Sequence, residues 1–147
     1  MGFSNDFSFG AFSLSSLVDW RKGGLGVNLT NDYFYGSGLA KDTLLAQTQL
    51  SRFAKGVDVW VENSGFVKLR EITLAYQLPN TLSSKLFNGR AQSARLELSG
   101  RNLATWTKYT GLDPEVSNFG NQALGRFQDV TPYPPSRLFY FSINTTF

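Results

Sequence analysis

The sequence predicts an all-β fold: an antiparallel transmembrane β-barrel segment, about five long strands of an incomplete larger barrel. Three observations carry that expectation. The closing stretch, Arg137 to Phe147, has a period of two: Phe139, Phe141, Ile143, Thr145 and Phe147 share one parity, and Leu138, Tyr140, Ser142, Asn144 and Thr146 the other. The connections between the expected strands run short, long, medium, long. The charges inside the third and fourth strands fall mostly on a single parity. The closing strand is about ten residues long, and a strand tilted at about 45° needs roughly 9–11 residues to cross a bilayer's hydrocarbon. Taken alone it is equally a strand of a soluble β protein, so the other elements decide.

In chain order, residues 7–21 read as the first strand. Phe12, Leu14, Val18 and Trp20 oppose Ser13, Ser15, Asp19 and Arg21, and Ser16 and Leu17 break the pattern. Lys22-Gly23-Gly24 reads as a tight turn, since glycine supplies the positive φ of short hairpins. A second strand is expected from Gly26 to Tyr35, where Val27, Leu29, Tyr33 and Tyr35 alternate with Asn28, Thr30 and Asp32. A long connection, 36–64, follows, with a short helix expected near 42–53 and a return near Trp60-Val61. The third strand is 66–78, with Ile72, Leu74, Tyr76 and Leu78 opposite Glu71, Thr73, Ala75 and Gln77, and Pro79 ends it. A helical turn is expected over Leu82–Phe87. The fourth strand is 94–107, with Leu96 and Leu98 opposite Arg95, Glu97, Ser99 and Arg101. A second long connection, 108–136, leads to the closing strand.

Loops above about 12–15 residues are uncommon in compact soluble domains. In outer-membrane barrels, short periplasmic turns alternating with long outer loops are the rule. Both long connections then fall outside. Glu71, Arg95, Glu97 and Arg101 take the parity of a wet lumen. Lys68 and Arg70 share the parity of Ile72, toward the outer end of their strand, where the roughly 2–4 kcal/mol midplane cost of a lipid-facing cation falls away. Trp20 sits where an interfacial aromatic is expected.

Composition narrows the function. The chain has 147 residues, no cysteine and no histidine, which removes disulfides, thiol nucleophiles, His-based triads and thiolate or imidazole metal sites. A net charge of +3 with scattered basic residues argues against nucleic acid. No apolar run reaches the ~18–20 residues of a membrane helix. The start, Met1-Gly-Phe-Ser-Asn-Asp-Phe7, is not a signal peptide and reads as an internal or artificial beginning. Gly36-Ser-Gly38-Leu-Ala-Lys41 lacks the full phosphate-loop spacing. Asn28-Leu-Thr30 and Asn144-Thr-Thr146 match a glycosylation sequon inside expected strands. Asp113-Pro114-Glu115 and Asp129 read as solvated acids of a proline turn rather than an acid–base pair. With no catalytic constellation, no enzyme, cofactor or metal is expected.

Several stretches resemble one family, the SusC/RagA-like TonB-dependent outer-membrane transporters. They are Val67-Lys-Leu-Arg-Glu-Ile-Thr-Leu-Ala-Tyr-Gln-Leu-Pro79, Gly100-Arg-Asn-Leu103, Tyr109-Thr-Gly-Leu-Asp-Pro-Glu115, Tyr133-Pro-Pro-Ser-Arg137 and the terminal Phe147. Asp19-Trp-Arg-Lys-Gly-Gly24 is similar more loosely. The resemblance implies the last five strands of a 22-stranded barrel, so residues 1–147 form its C-terminal portion without a plug domain. It implies import of oligosaccharides or peptides, a SusD-like surface lipoprotein as lid, and coupling to the TonB complex through an N-terminal part. The remainder of the barrel and the plug, the barrel-assembly machinery and outer-membrane lipid are the other expected partners. Phe139, Phe141, Ile143 and Phe147 are the expected lipid-facing assembly signal. Glu71, Arg95, Glu97 and Arg101 are expected to face the lumen. Tyr109, Asp113 and Glu115 are expected in an extracellular loop, near substrate or lid. Five strands cannot close a barrel, so the chain is expected to be a fragment, not transport-competent alone. The other reading is a soluble all-β carbohydrate-binding module with Trp60 and Trp106 as stacking platforms.

Overall fold

In the computed structural model, residues 1–39, 57–120, 122, 125 and 127–147 are described. They form two compact units. The first comprises Met1–Trp20, Val67–Trp106 and Ser136–Phe147; the second comprises Arg21–Phe66 and Thr107–Pro135.

The first unit is built on one five-stranded sheet. Its strands are β1 (Gly2–Phe9), β2 (Phe12–Arg21), β5 (Phe66–Gln77), β6 (Ser93–Thr107) and β8 (Leu138–Thr146), side by side in that order. β1 pairs antiparallel with β2, and β6 with β8. Gln77 N–H donates to Ala11 O and Leu78 N–H to Ala94 O. These bonds join the end of β5 to the starts of its two neighbours, so those pairs are antiparallel as well. Among the described residues the sheet does not close: β1 and β8 are its edges.

The register sorts the side chains cleanly. Opposed residues of an antiparallel pair share a face. Leu96 therefore sits with Ile143, Leu98 with Phe141 and Gly100 with Phe139, while Arg95 sits with Asn144 and Glu97 with Ser142. Phe12 and Tyr76 meet at 4.6 Å between ring centroids, which puts the aliphatic parity of β5 on the same apolar face. That face carries Phe3, Phe7, Phe9, Leu74, Leu98 and Phe141, all exposed. Ser16, one of the two residues that break the pattern of β2, is opposed by Asn5 in a matched polar pair, while Leu17 is opposed by Ser4.

The sheet corrects two expected elements. Residues 7–21 are not one strand. Gly10, at φ +57°, makes with Ala11 a two-residue turn between β1 and β2. Glycine first in such a turn suits type II′, whose twist matches the flanking strands. The expected strand 26–35 is β3 (Leu25–Asn28) followed by α1 (Leu29–Gly36). Asn28 caps that helix by accepting from Asn31 N–H at 3.0 Å, and Asp32 lies in its first turn. The cap wins over an alternation that continued only by chance through Tyr33 and Tyr35. Because β1 replaces the lost strand, five strands and the order of connection lengths survive.

In β6, Asn102 takes φ +53°. A Cβ on Gly100 would lie 2.8 Å from Leu103 Cδ2, so positions three apart share a face and one extra residue is present: a β-bulge. Asn102 Nδ2 then donates to Ser136 O, just before β8. Between β5 and β6, α2 (Asn80–Leu86) follows Pro79, in line with the expected helical turn.

The second unit contains a three-stranded sheet, β4 (Val61–Asn63), β3 and β7 (Gln128–Asp129), with β3 antiparallel to β4 and parallel to β7. A 3₁₀ turn, Val57–Trp60, precedes β4. The helix expected at 42–53 lies outside the described residues.

Candidate functional site

The second unit is held by buried polar groups more than by apolar ones. Asn28 and Thr30 are fully enclosed, and Asp129 is buried beside them. Asp129 Oδ1 accepts from Thr30 N–H at 3.1 Å and from Thr30 Oγ1 at 2.9 Å. Its other oxygen accepts a hydrogen bond from the Tyr109 hydroxyl. Asn28 Nδ2 donates to Glu62 Oε1 at 3.0 Å and to Thr110 Oγ1 at 3.1 Å. Thr110 N–H donates to Glu62 Oε2 at 2.7 Å. The two long connections are thus tied to each other through named pairs. Burial first, and then the Asp129 carboxylate, push the Tyr109 phenol well above its ordinary pKa, so it stays a proton donor.

This network explains the run Tyr109-Thr-Gly-Leu-Asp-Pro-Glu115. Tyr109 and Thr110 bond as above. A Cβ on Gly111 would lie 2.4 Å from the Tyr109 ring and 2.6 Å from Asp129 Oδ2, so only glycine fits. Asp113 Oδ1 accepts from Glu115 N–H at 2.8 Å and turns the chain. Of the three residues expected to meet substrate or lid, Tyr109 and Asp113 are buried and Glu115 is exposed. Asp113 and Asp129 are therefore not the solvated acids that the sequence suggested. Asn28, Thr30, Glu62 and Thr110 were missed, because the alternation of 26–35 made Asn28 and Thr30 look like the wet side of a strand. The Asn28 cap, followed by Asp32, was the available signal. Gly36-Ser37-Gly38 ends α1: Ser37 N–H and Oγ both donate to Tyr33 O. A helix C-terminus presents carbonyls, the wrong polarity for phosphate.

On the sheet, all four residues expected to line a lumen lie on the face opposite the apolar one. Arg101 Nε meets Glu71 Oε2 at 3.0 Å, and Arg95 Nε meets Glu97 Oε1 at 2.8 Å. Arg95 also reaches across β5 to Ser13 Oγ, and Arg101 lies over the Tyr140 ring. Phe139, Phe141, Ile143 and Phe147 are 54–71% exposed. Arg70 is paired with Asp19 at 2.8 Å, and Lys68 is 3% exposed, so neither presents a bare charge to the apolar side. Trp106 is exposed, but Trp60 is 3% exposed and packs at a tilt against the Tyr35 ring, so it is no stacking platform for a bound sugar. Among the described residues no cluster of acidic side chains is arranged to hold a metal.

An open antiparallel sheet of long strands, apolar on one face and ion-paired on the other, defines the wall of an outer-membrane type of β-barrel. No family model matches the chain. Known proteins nevertheless specify the kind of barrel. The chain is 30% identical to the TonB-dependent receptor P3 of Formosa agariphila in an alignment that covers all of this chain and 16% of that receptor. It is 26% identical to the TonB-dependent receptor SusC of Bacteroides thetaiotaomicron, over 76% of this chain and 11% of that protein. The fold matches the RagAB peptide importer in its open-open state with a TM-score of 0.70 and 26% identity, over 99% of this chain and 17% of that one. The closed-closed state gives the same values. The chain is homologous to the SusC/RagA-like TonB-dependent receptors and spans 9–16% of the length of the curated relatives it matches.

Proposed function

We propose that this chain is the C-terminal wall segment of an outer-membrane, TonB-dependent importer of oligosaccharides or peptides, and that it does not transport alone. The observation that carries the reading is the two-sided sheet, which aligns over 99% of the chain with a peptide importer. Phe139, Phe141, Ile143 and Phe147 face lipid and serve as the signal for barrel assembly. Covering each such side chain with lipid contributes roughly 1.5–3 kcal/mol when burial is complete. Glu71, Arg95, Glu97 and Arg101 line and brace the water-filled side, where their charges stay hydrated. The second unit lies outside the cell, where the exposed Glu115 is near a solute or a SusD-like lipoprotein lid. TonB engages another part of the receptor. No residue here does covalent chemistry.

The test is the full-length receptor that carries this segment. It is expected in the outer-membrane fraction, with gel mobility that changes on heating, and to support uptake of a solute that porins exclude. Recovery from the soluble periplasm with unchanged mobility would sink the reading.

A further inference from the structure

The connection between β5 and β6, which carries α2, has no role in the account above. It lies at one margin of the sheet. Gln77 N–H bonds to Ala11 O there, and Gln92 N–H bonds to Thr146 O. The β1–β2 turn and the end of β8 therefore stand at the same margin. Short connections gather on the periplasmic side of outer-membrane barrels. A helix of seven residues, Asn80–Leu86, is too short to hold by itself. Its neighbours fix it instead: Ser83 is fully enclosed, and Gly89 N–H donates to Ser84 O at 2.7 Å.

Two features of this connection are not explained by packing. The first is open apolar surface. Leu82 and Leu86 are 47% and 67% exposed and, four residues apart, share one side of the helix. At about 100° per residue, Ser84 points away from both. On the apolar parity of the sheet, Leu74 and Leu98 are open mid-strand, but Leu78 and Ala94, which flank the connection, are 6% and 0% exposed. The sheet's own apolar surface closes at this point, and the two leucines carry it onward. Phe9 and Phe12, opposed to each other beside the β1–β2 turn, are open at the same margin. The second feature is charge of one sign. Between Glu71 and Glu97 the chain has no acidic residue, while Lys85 and Arg90 fall within the connection. Both are exposed, and neither enters a side-chain hydrogen bond or ion pair among the described residues. Leucines flanked by uncompensated cations suit a segment lying in a membrane interface, its apolar side in the acyl boundary and its cations on lipid phosphates.

We propose that α2 is an interfacial anchor, with Leu82 and Leu86 dipping into the periplasmic leaflet and Lys85 and Arg90 holding phosphates of its anionic phospholipids. The proposal rests on the importer reading. The test uses the full-length receptor in vesicles, otherwise free of cysteine, with one nitroxide at a time on Leu82→Cys, Leu86→Cys or Ser84→Cys. Collision with oxygen relative to a water-soluble nickel chelate is expected to be severalfold higher at 82 and 86 than at 84. Adding phosphatidylglycerol to phosphatidylcholine vesicles should raise that ratio at 86, since a cation near an anionic surface is drawn to it. Lys85→Glu with Arg90→Glu should abolish the rise. The neutral pair Lys85→Gln with Arg90→Gln should lose most of it, and serves where charge reversal hinders assembly. Equal chelate access at 86 and 84 would overturn the anchor. So would exclusion of both reagents from 86, which marks a protein partner, or a rise that survives both charge variants. Labels at 141 and 142 in the same vesicles separate the two readings. If those two positions differ while 86 is wet, the anchor fails and the barrel wall stands; if they do not differ, the importer reading itself fails.

Discussion

The two units of this chain solve the same problem, a short supply of apolar interior, in opposite ways. The sheet joins its backbone groups in ladders and leaves its large side chains uncovered: Phe3, Phe9, Phe139 and Phe141 are each more than half exposed. Its stability depends on a solvent that accepts them. The second unit encloses polar groups instead, with Asn28, Thr30 and Asp129 at its centre and the side-chain donors of Asn28 and Thr30 matched to named acceptors. The first arrangement is a sheet with its large apolar side chains on the outside; the second is a unit with its polar groups on the inside. The comparison teaches that period-two alternation reports on the first kind of region and says little about the second.

The largest effects are expected where the buried network is broken. Asp129→Ala leaves Thr30 N–H, Thr30 Oγ1 and the Tyr109 hydroxyl without their acceptor, and unpaired buried groups cost about 1–3 kcal/mol each. Limited proteolysis of the assembled receptor should then cut within 107–135 while the heat-modifiable mobility of the barrel persists. If the loops stay protected, the network is not what holds them. Gly111→Ala, whose Cβ would collide with Tyr109, should give the same cleavage pattern.

Next come charges placed on the two faces of the sheet. Phe141→Arg should cost roughly 2–4 kcal/mol if that position lies near the bilayer midplane, read as reduced refolding into vesicles. Ser142→Arg, one residue along on the other face, should be nearly neutral. Equal effects would erase the distinction between the faces.

A smaller, pH-dependent effect separates the units. The Tyr109 phenol is raised in the folded state, whereas an unfolded tyrosine has a pKa of about 10. Above that pH the unfolded chain loses the proton while the folded one keeps it. Stability of the second unit is therefore full below about pH 10 and falls as pH rises further. Tyr109→Phe should flatten that decline in a proteolysis-against-pH series. The smallest effect is expected from Arg101→Ala, since a part-exposed ion pair contributes at most about 1 kcal/mol.

The sheet was legible because its causes are local. Strands 66–78, 94–107 and 138–146 alternate over most of their length, and the ionic face was readable from the parity of Glu71, Arg95, Glu97 and Arg101. The β1–β2 turn was lost because a two-residue loop at Gly10 leaves Phe9 and Phe12 looking like one continuous apolar stretch. The second unit resisted reading for a different reason. Asn28 and Glu62 are 34 residues apart, and Thr30 and Asp129 are 99 apart. A polar residue buried by a distant partner looks, in sequence, like any exposed one.

The central claim is that the two faces of the five-stranded sheet meet different solvents. The chain has no cysteine, so single cysteines at 139 to 144 in a receptor otherwise free of them report on one position each. Labelled with a nitroxide in reconstituted membranes, positions 139, 141 and 143 should be relaxed by oxygen, which concentrates in lipid. Positions 140, 142 and 144 should respond to a water-soluble paramagnet. A period-two alternation is the predicted result, and equal access of the water-soluble reagent to both sets would contradict it.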